Sequence, residues 1–227
     1  MAKKFGKKYT DLVKDIDLTK IYESKEAFEI VKKVSYTKFE GTVEVSIKTN
    51  ANPKYNDQMI RGTVVLPEGT GKEVKVAAFV SDDKIEEAKK AGADIAGNEE
   101  LIKEIQKGEF NFDSLITSLD MMRDLSKVAK ILGPRGLMPS PKAGTVTNDI
   151  SYTVSEIKKG RVEFKLDKTG NIHTILGKTS FDSDKLVNNL NSLLKAIEDS
   201  RPSGVKGKLI KKIVVSPTMG AGVQVSV

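Results

Sequence analysis

The sequence contains no cysteine and a single histidine, His173. Without cysteine there are no disulfides, no thiolate nucleophile and no thiolate-rich zinc site. One histidine leaves no centre built on several imidazoles, whether for nucleophilic catalysis or for metal binding. Neither catalytic residues nor metal ligands can be assigned, and no cofactor is expected. The lack of cysteine suits a reducing cytoplasm. Long apolar runs are missing as well. The basic start (Lys3, Lys4, Lys7, Lys8) passes into Thr10-Asp11-Leu12-Val13-Lys14-Asp15 without the apolar stretch of a signal peptide, so no export or membrane-spanning segment is expected. Repeats and low-complexity tracts do not stand out.

What is present begins with length and charge. A chain of 227 residues accommodates one large domain or two modest ones, each able to bury a core. The net charge of +7 is unevenly spread. Residues 1–67 carry 13 Lys and Arg against 9 Asp and Glu, and residues 158–227 carry 13 against 6. The middle, 68–157, carries 12 against 16. Two basic ends around an acidic middle would meet a polyanion such as RNA with the ends.

Periodicity divides the chain in the same places. Helical spacing predicts helices over Tyr9–Ile16 and Ser24–Val34, the second with Ala27, Phe28, Val31 and Val34 on one face and Ser24 as N-cap. Alternation predicts strands over Phe39–Thr49 and Gly62–Leu66. Pro67-Glu68-Gly69-Thr70-Gly71 is a link. Beyond it strands and helices alternate: Glu73–Val80, a helix Lys84–Ala91 capped by Asp82 or Asp83, Asp94–Ala96, a helix Glu99–Lys107 closed by Gly108, Ser114–Ser118 and a helix Met121–Leu132. The nearly continuous apolar Val74–Val80 suits a central parallel strand. A small Rossmann-like three-layer α/β domain follows from this rhythm. Ser81-Asp82-Asp83 stands where a Gly-rich phosphate loop would be, which argues against a nucleotide site.

After a Pro/Gly-rich loop, a helix is expected over Ile150–Lys159, then strands Arg161–Leu166 and Asn171–Gly177 joined as a hairpin at Asp167-Lys168-Thr169-Gly170. Ser183–Asp199 repeats Leu186, Leu190, Leu193, Leu194 and Ile197 on one helical face. Lys208–Ser216 and Gly222–Val227 read as closing strands. Both ends share helices and antiparallel strands. The expected architecture is therefore a split α+β domain, 1–67 with 158–227, and an α/β domain, 68–157, inserted between Leu66, Pro67 and Lys158, Lys159 as a hinge.

Two stretches invite a functional reading. Lys38-Phe39 with Thr42 could set an aromatic ring and a hydroxyl against ribose or bases, or Phe39 could be core at a strand start. In Ser216-Pro217-Thr218-Met219-Gly220-Ala221-Gly222, small residues allow close backbone approach to a phosphodiester and hydroxyls can donate to it. A plain hairpin turn is the competing reading. Lys165, Lys168 and Thr169 at the hairpin are either solvated charges or phosphate contacts, and His173, alternating with Ile172, is expected to face outward.

Gly133-Pro134-Arg135-Gly136-Leu137-Met138-Pro139, then Pro141-Lys142 and Gly144-Thr145-Val146, resembles the central motif of the bacterial ribosomal large-subunit protein one family, the protein of the exit-site stalk. The likeness continues in order and spacing through Lys38-Phe39 with Thr42–Val45, Arg61–Val64 with Leu66-Pro67, Gly71-Lys72, Ala91–Asp94, Phe112-Asp113, Asp167–Gly170 with Ile172-His173, Gly177-Lys178 and Thr218–Gly220. It implies a non-enzymatic, cytoplasmic constituent of the large subunit, monomeric when free and without a membrane role. Its split domain would bind a folded, largely helical 23S-type rRNA stalk among other large-subunit components. It would assist release of deacylated exit-site tRNA and bind its own operon mRNA as a repressor.

By this likeness the RNA contacts are Glu29, Lys38, Phe39, Thr42, Lys165, Lys168, Thr169, His173, Ser216, Thr218, Met219 and Gly220. Glu29 enters on position alone. The sequence departs from the family pattern at Ala221, where proline is usual, which should loosen that turn, and at Ser118-Leu119-Asp120, where Thr-Pro-Asp is usual. Two rivals remain open on sequence: a nucleotide-dependent enzyme on the inserted domain, and a structured-RNA binder that never joins the ribosome.

Overall fold

The computed structural model describes residues 6–14, 16–108 and 110–226; Lys3, Lys4, Asp15 and Val227, named above, lie outside them. In chain order the elements are α1 (Lys7–Val13), β1 (Ile21–Tyr22), α2 (Ser24–Val34), β2 (Thr42–Thr49), β3 (Arg61–Val65), β4 (Val76–Phe79), α3 (Asp82–Lys90), β5 (Ile95–Gly97), α4 (Glu99–Lys107), β6 (Ser114–Thr117), α5 (Met122–Leu125), α6 (Ala129–Leu132), α7 (Ile150–Lys158), β7 (Arg161–Lys165), β8 (Asn171–Lys178), α8 (Ser183–Asp199), β9 (Ile210–Pro217) and β10 (Val223–Val225). The protein is mixed α and β with several sheets. It divides into two compact units, one of Met1–Gly71 with Val162–Val227 and one of Lys72–Arg161.

In the split unit a five-stranded sheet runs in the order β1-β10-β9-β2-β8. All its pairs are antiparallel except β1 with β10, which is parallel and so departs from the expected all-antiparallel ends. The alternation of β2 buries Val43, Val45 and Ile47 completely. With Ile172, Leu176, Ile213, Val215 and Val223 they form the sheet side of a core closed by α2 and α8. From α8, Leu186, Leu190, Leu193 and Ile197 enter it, each stabilising the fold by about 1.5–3 kcal/mol through leaving water. The side chain of Asp182 accepts a hydrogen bond at the start of α8.

Asn189, fully buried in α8, accepts from the Glu68 amide at 3.1 Å and donates to the carbonyls of Gly69 and Leu176. Gly71, at φ +70°, leaves no room for a side chain: a Cβ there would lie 2.9 Å from the Phe181 ring. The link after β3 is thereby held to α8.

The inserted unit carries a parallel three-stranded sheet, order β5-β4-β6. Every residue of β4 is buried. Ala77 and Phe79 face one cluster with α4 and Leu125, Val128 and Leu132, while Val76 and Ala78 face another with Ile150, Val154 and Ile157 of α7. The Pro/Gly-rich loop belongs to this unit. Thr117 bonds on both sides to Thr145 and Thr147, extending the β6 edge, and the Arg135 guanidinium stacks 3.8 Å from the centre of the Phe110 ring. Asp113 and Asp94 hold the two ends of the unit. The ammonium of Lys72 and the amide of Lys75 keep the Asp113 carboxyl below its usual range. The amide of Val76, then Lys158, does the same for Asp94.

Several expectations are corrected. β7 and β8 are not a ladder-paired hairpin: β7 pairs with β3 and β8 with β2, and only Leu166 and Ile172 bridge between them. The turn signal is real, with Gly170 at φ +80°, but the strands diverge to partners far along the chain. Ser24 is the first helical residue, after Glu23, and no side chain caps α2. Asp82 and Asp83 open α3 from within, after Ser81. The helix expected over Met121–Leu132 is broken by a 3-10 turn at Ser126–Val128, where the Val128 backbone leaves the helical region. Phe39 precedes β2 rather than beginning it.

Candidate nucleic-acid interface

Because α2 and α8 cover one face of the five-stranded sheet, the alternate residues of its strands form the other face. Glu44, Ser46 and Lys48 point there from β2. Register places Ser46 between His173 of β8 and Val214 of β9, Glu44 between Ile175 and Ser216, and Lys48 between Asn171 and Lys212. Gln224 and Ile21 continue the middle row across β10 and β1. At about 4.8 Å between strands, this face is about 19 Å wide.

At one end of β2, Thr218 is locked to Thr42. Its amide and its hydroxyl both donate to the Thr42 carbonyl, and the hydroxyl accepts from the Thr42 amide at 2.8 Å. Met219 follows and is 45% exposed. Gly220 is wedged in, since a Cβ on it would lie 2.6 Å from Pro217 and 3.0 Å from the Val34 carbonyl oxygen. Ala221 is buried. The turn that carries Ala221 is held by packing and hydrogen bonds on both sides. Phe39, at 59% exposure, is a surface ring and no part of the core; the Thr37 hydroxyl donates to its carbonyl, and Lys38 beside it is exposed.

At the other end of the strands, Asp167 organises the 167–171 turn. Its carboxylate accepts from the Thr169 hydroxyl and from the amides of Thr169 and Asn171. Those bonds, the Thr169 hydroxyl first, bring its pKa down to about 2. The Thr169 hydroxyl is thereby committed to the turn, while Lys168 at the tip is exposed. Nδ1 of His173 lies 3.0 Å from Ser46 Oγ and Nε2 lies 3.7 Å from Asp167 Oδ2. A Ser–His–Asp order is only superficially catalytic here. The ring nitrogens are exchanged relative to a working triad, the carboxylate is saturated by the turn, and the imidazole is open to water.

Of the residues named from sequence, the structure gathers Thr42, His173, Ser216 and Thr218 on or at the end of the open face, with Met219 and Gly220 continuing from it. Lys168 and Thr169 lie at its far end. Lys165 belongs to β7 and lies with Lys168 along a groove beside that end. Glu29 is exposed on α2, on the covered side of the sheet. Lys48, Lys212, Ser46 and Asn171 were not singled out. Their signal is the period-two alternation of β2 and β9, readable as one surface only once the partner strands are known.

The described residues include no group of His, Cys, Asp and Glu able to hold a metal ion. The open face carries Ser46, Ser216, His173, Asn171, Lys48 and Lys212, together with Glu44, Ile175 and Val214. The profile of the "Ribosomal protein L1p/L10e family" matches residues 31–221. The large ribosomal subunit protein uL1 of Thermosipho africanus (strain TCF52B) is 53% identical over 223 residues, covering 98% of this chain and 96% of that protein. The protein of the same name from Kosmotoga olearia (strain ATCC BAA-1733 / DSM 21960 / TBF 19.5.1) is 52% identical, with 97% and 96% covered. The chain belongs to the ribosomal protein L1p/L10e family.

Proposed function

We propose that the split unit clamps a folded, largely helical region of large-subunit rRNA, at the mobile stalk beside the exit site, against its open sheet face and the Thr218–Gly220 turn. As a family member the protein is a non-enzymatic structural constituent of the large ribosomal subunit and acts in the cytoplasm. The observation that carries the finer reading is the uncovered face of a sheet otherwise packed on helices, edged by the rigid Thr42–Thr218 junction. A surface of hydroxyls, an imidazole and lysines, with Glu44 and Ile175 among them, favours phosphate, ribose and shape contacts over base reading.

In the same reading the inserted α/β unit moves against the split one to assist release of deacylated tRNA, and an mRNA mimic of the stalk makes the protein, a monomer when free, a repressor of its own operon. The pivot of this motion is placed at the two links between the units, Leu66 and Pro67 on one side and Lys158 and Lys159 on the other, close to where the units part along the chain.

The test is competition between a stalk-rRNA fragment and an unrelated duplex for the full-length protein across a salt series. Preference for the fragment that survives high salt is expected. Equal binding to both, lost steeply as salt rises, would reduce the interaction to charge attraction and remove the reading.

A further inference from the structure

Beside the open face lies a groove of about 590 Å³, lined by Pro53, Lys54, Met59, Lys165, Leu166, Asp167 and Lys168. We infer that this groove receives an unpaired nucleotide of the bound RNA, its base against Met59 and Pro53 and its phosphates among Lys54, Lys165 and Lys168. The inference rests on the reading of the sheet face as the RNA-binding surface.

The groove is built before any ligand arrives. The loop that forms its wall is held by its own hydrogen bonds. The Asn52 amide donates to Gln58 Oε1, the Lys54 amide to Asn52 Oδ1, and the Tyr55 amide to the Asn52 carbonyl, before a 3-10 turn at Asn56–Gln58. This keeps Met59 41% exposed on the groove wall while Ile60 beside it is buried. An exposed thioether is a poor match for water and a good one for the face or edge of an aromatic ring.

The charge is complementary to RNA. Among the described residues no carboxylate pairs with Lys54, Lys165 or Lys168. The one acid of the lining, Asp167, already accepts three hydrogen bonds inside its turn.

The groove is also continuous with the open face. Lys48 faces outward on β2 and donates to the Thr169 carbonyl at 2.5 Å. A Cβ on Gly170 would stand 3.6 Å from Lys48 Nζ and 3.8 Å from Pro53 Cδ. Lys48 thus links the sheet to the groove wall, and directly across from it on β9 stands Lys212. Like charges directly opposite in a sheet oppose folding, and an anion lying along them removes the conflict. A strand leaving a helical RNA on the sheet would follow Lys212 and Lys48 to the groove.

The test uses the full-length protein and three probes at one salt concentration: a fully paired stalk-rRNA fragment, the same fragment with a short single-stranded extension, and an unrelated duplex. The native protein should bind the extended fragment about tenfold tighter than the paired one, as expected for one base seated on an apolar wall. The double variant Lys54→Gln with Met59→Ser should lose that preference while keeping the native affinity for the paired fragment, and Met59→Leu alone should retain most of it. Both altered residues are exposed, and an unchanged circular-dichroism melt checks the fold. A double variant that keeps the full preference overturns the inference, as does a native protein that prefers the stalk fragment over the unrelated duplex but is indifferent to the extension. Displacement of only the extension's contribution by polyglutamate would reassign the groove to an acidic peptide. If the native protein does not distinguish the fragment from the unrelated duplex, the reading of the sheet face falls with it.

Discussion

Asn189 sits in the middle of α8 with no exposed surface, an unusual place for an amide. Its three hydrogen bonds take up the Glu68 amide and the Gly69 and Leu176 carbonyls. Replacing it with leucine leaves those groups without partners, and Asn189→Leu should cost about 3 kcal/mol in urea unfolding of the split unit. Asp167 makes a pH-dependent contribution. Its folded-state carboxyl titrates near 2, below the ordinary 3.8. The stabilisation is therefore present above about pH 4 and is lost as pH falls towards 2, where the unfolded chain takes up the proton first. Denaturation midpoints measured between pH 5 and pH 2 should fall, and the fall should be shallower in Asp167→Asn, which has already lost the carboxylate.

Among the elements, the Thr218–Gly220 turn makes the sharpest claim. The alanine methyl in Gly220→Ala meets Pro217 and the Val34 carbonyl, neither of which is a flexible side-chain end, so the turn must shift. Affinity for the stalk fragment should drop about tenfold in filter binding, consistent with the loss of one or two positioned contacts, while the thermal midpoint moves only a few degrees. The sequence made elements with strong local signals plain. α4 and α8 span the expected Glu99–Lys107 and Ser183–Asp199, the first closed by Gly108 at φ 88°, because helical periodicity and end residues are local properties. Pairing is not local. Asp167–Gly170 announces a turn, yet nothing within the flanking residues says that β8 belongs to β2 and β7 to β3. The same blindness hid Lys48 and Lys212 from the candidate site, while Thr218 and His173 were reachable through motif and alternation. Phe39 fitted the alternating pattern of β2 but stands outside the strand, where exposure and not core packing decides its environment.

For the molecule as a whole, two units with separate cores should melt separately. Gly144, at φ +62°, has the Arg161 guanidinium where a Cβ would be, and Arg161 is paired at 3.0 Å with the half-buried Glu156. Gly144→Ala should destabilise the inserted unit by about 1–2 kcal/mol, lowering one calorimetric transition and leaving that of the split unit in place. The strand order has a further consequence, for how the protein is made. β2 emerges early in synthesis, but both its neighbours, β8 and β9, are translated after the inserted unit, and Thr42 waits for a partner 176 positions downstream. At about 5–20 residues per second that delay is roughly ten to thirty seconds. The inserted unit can fold during it; the open face cannot exist. A prematurely terminated chain is thus born without that face, so under the proposed RNA-binding reading the topology itself withholds incomplete copies from assembly.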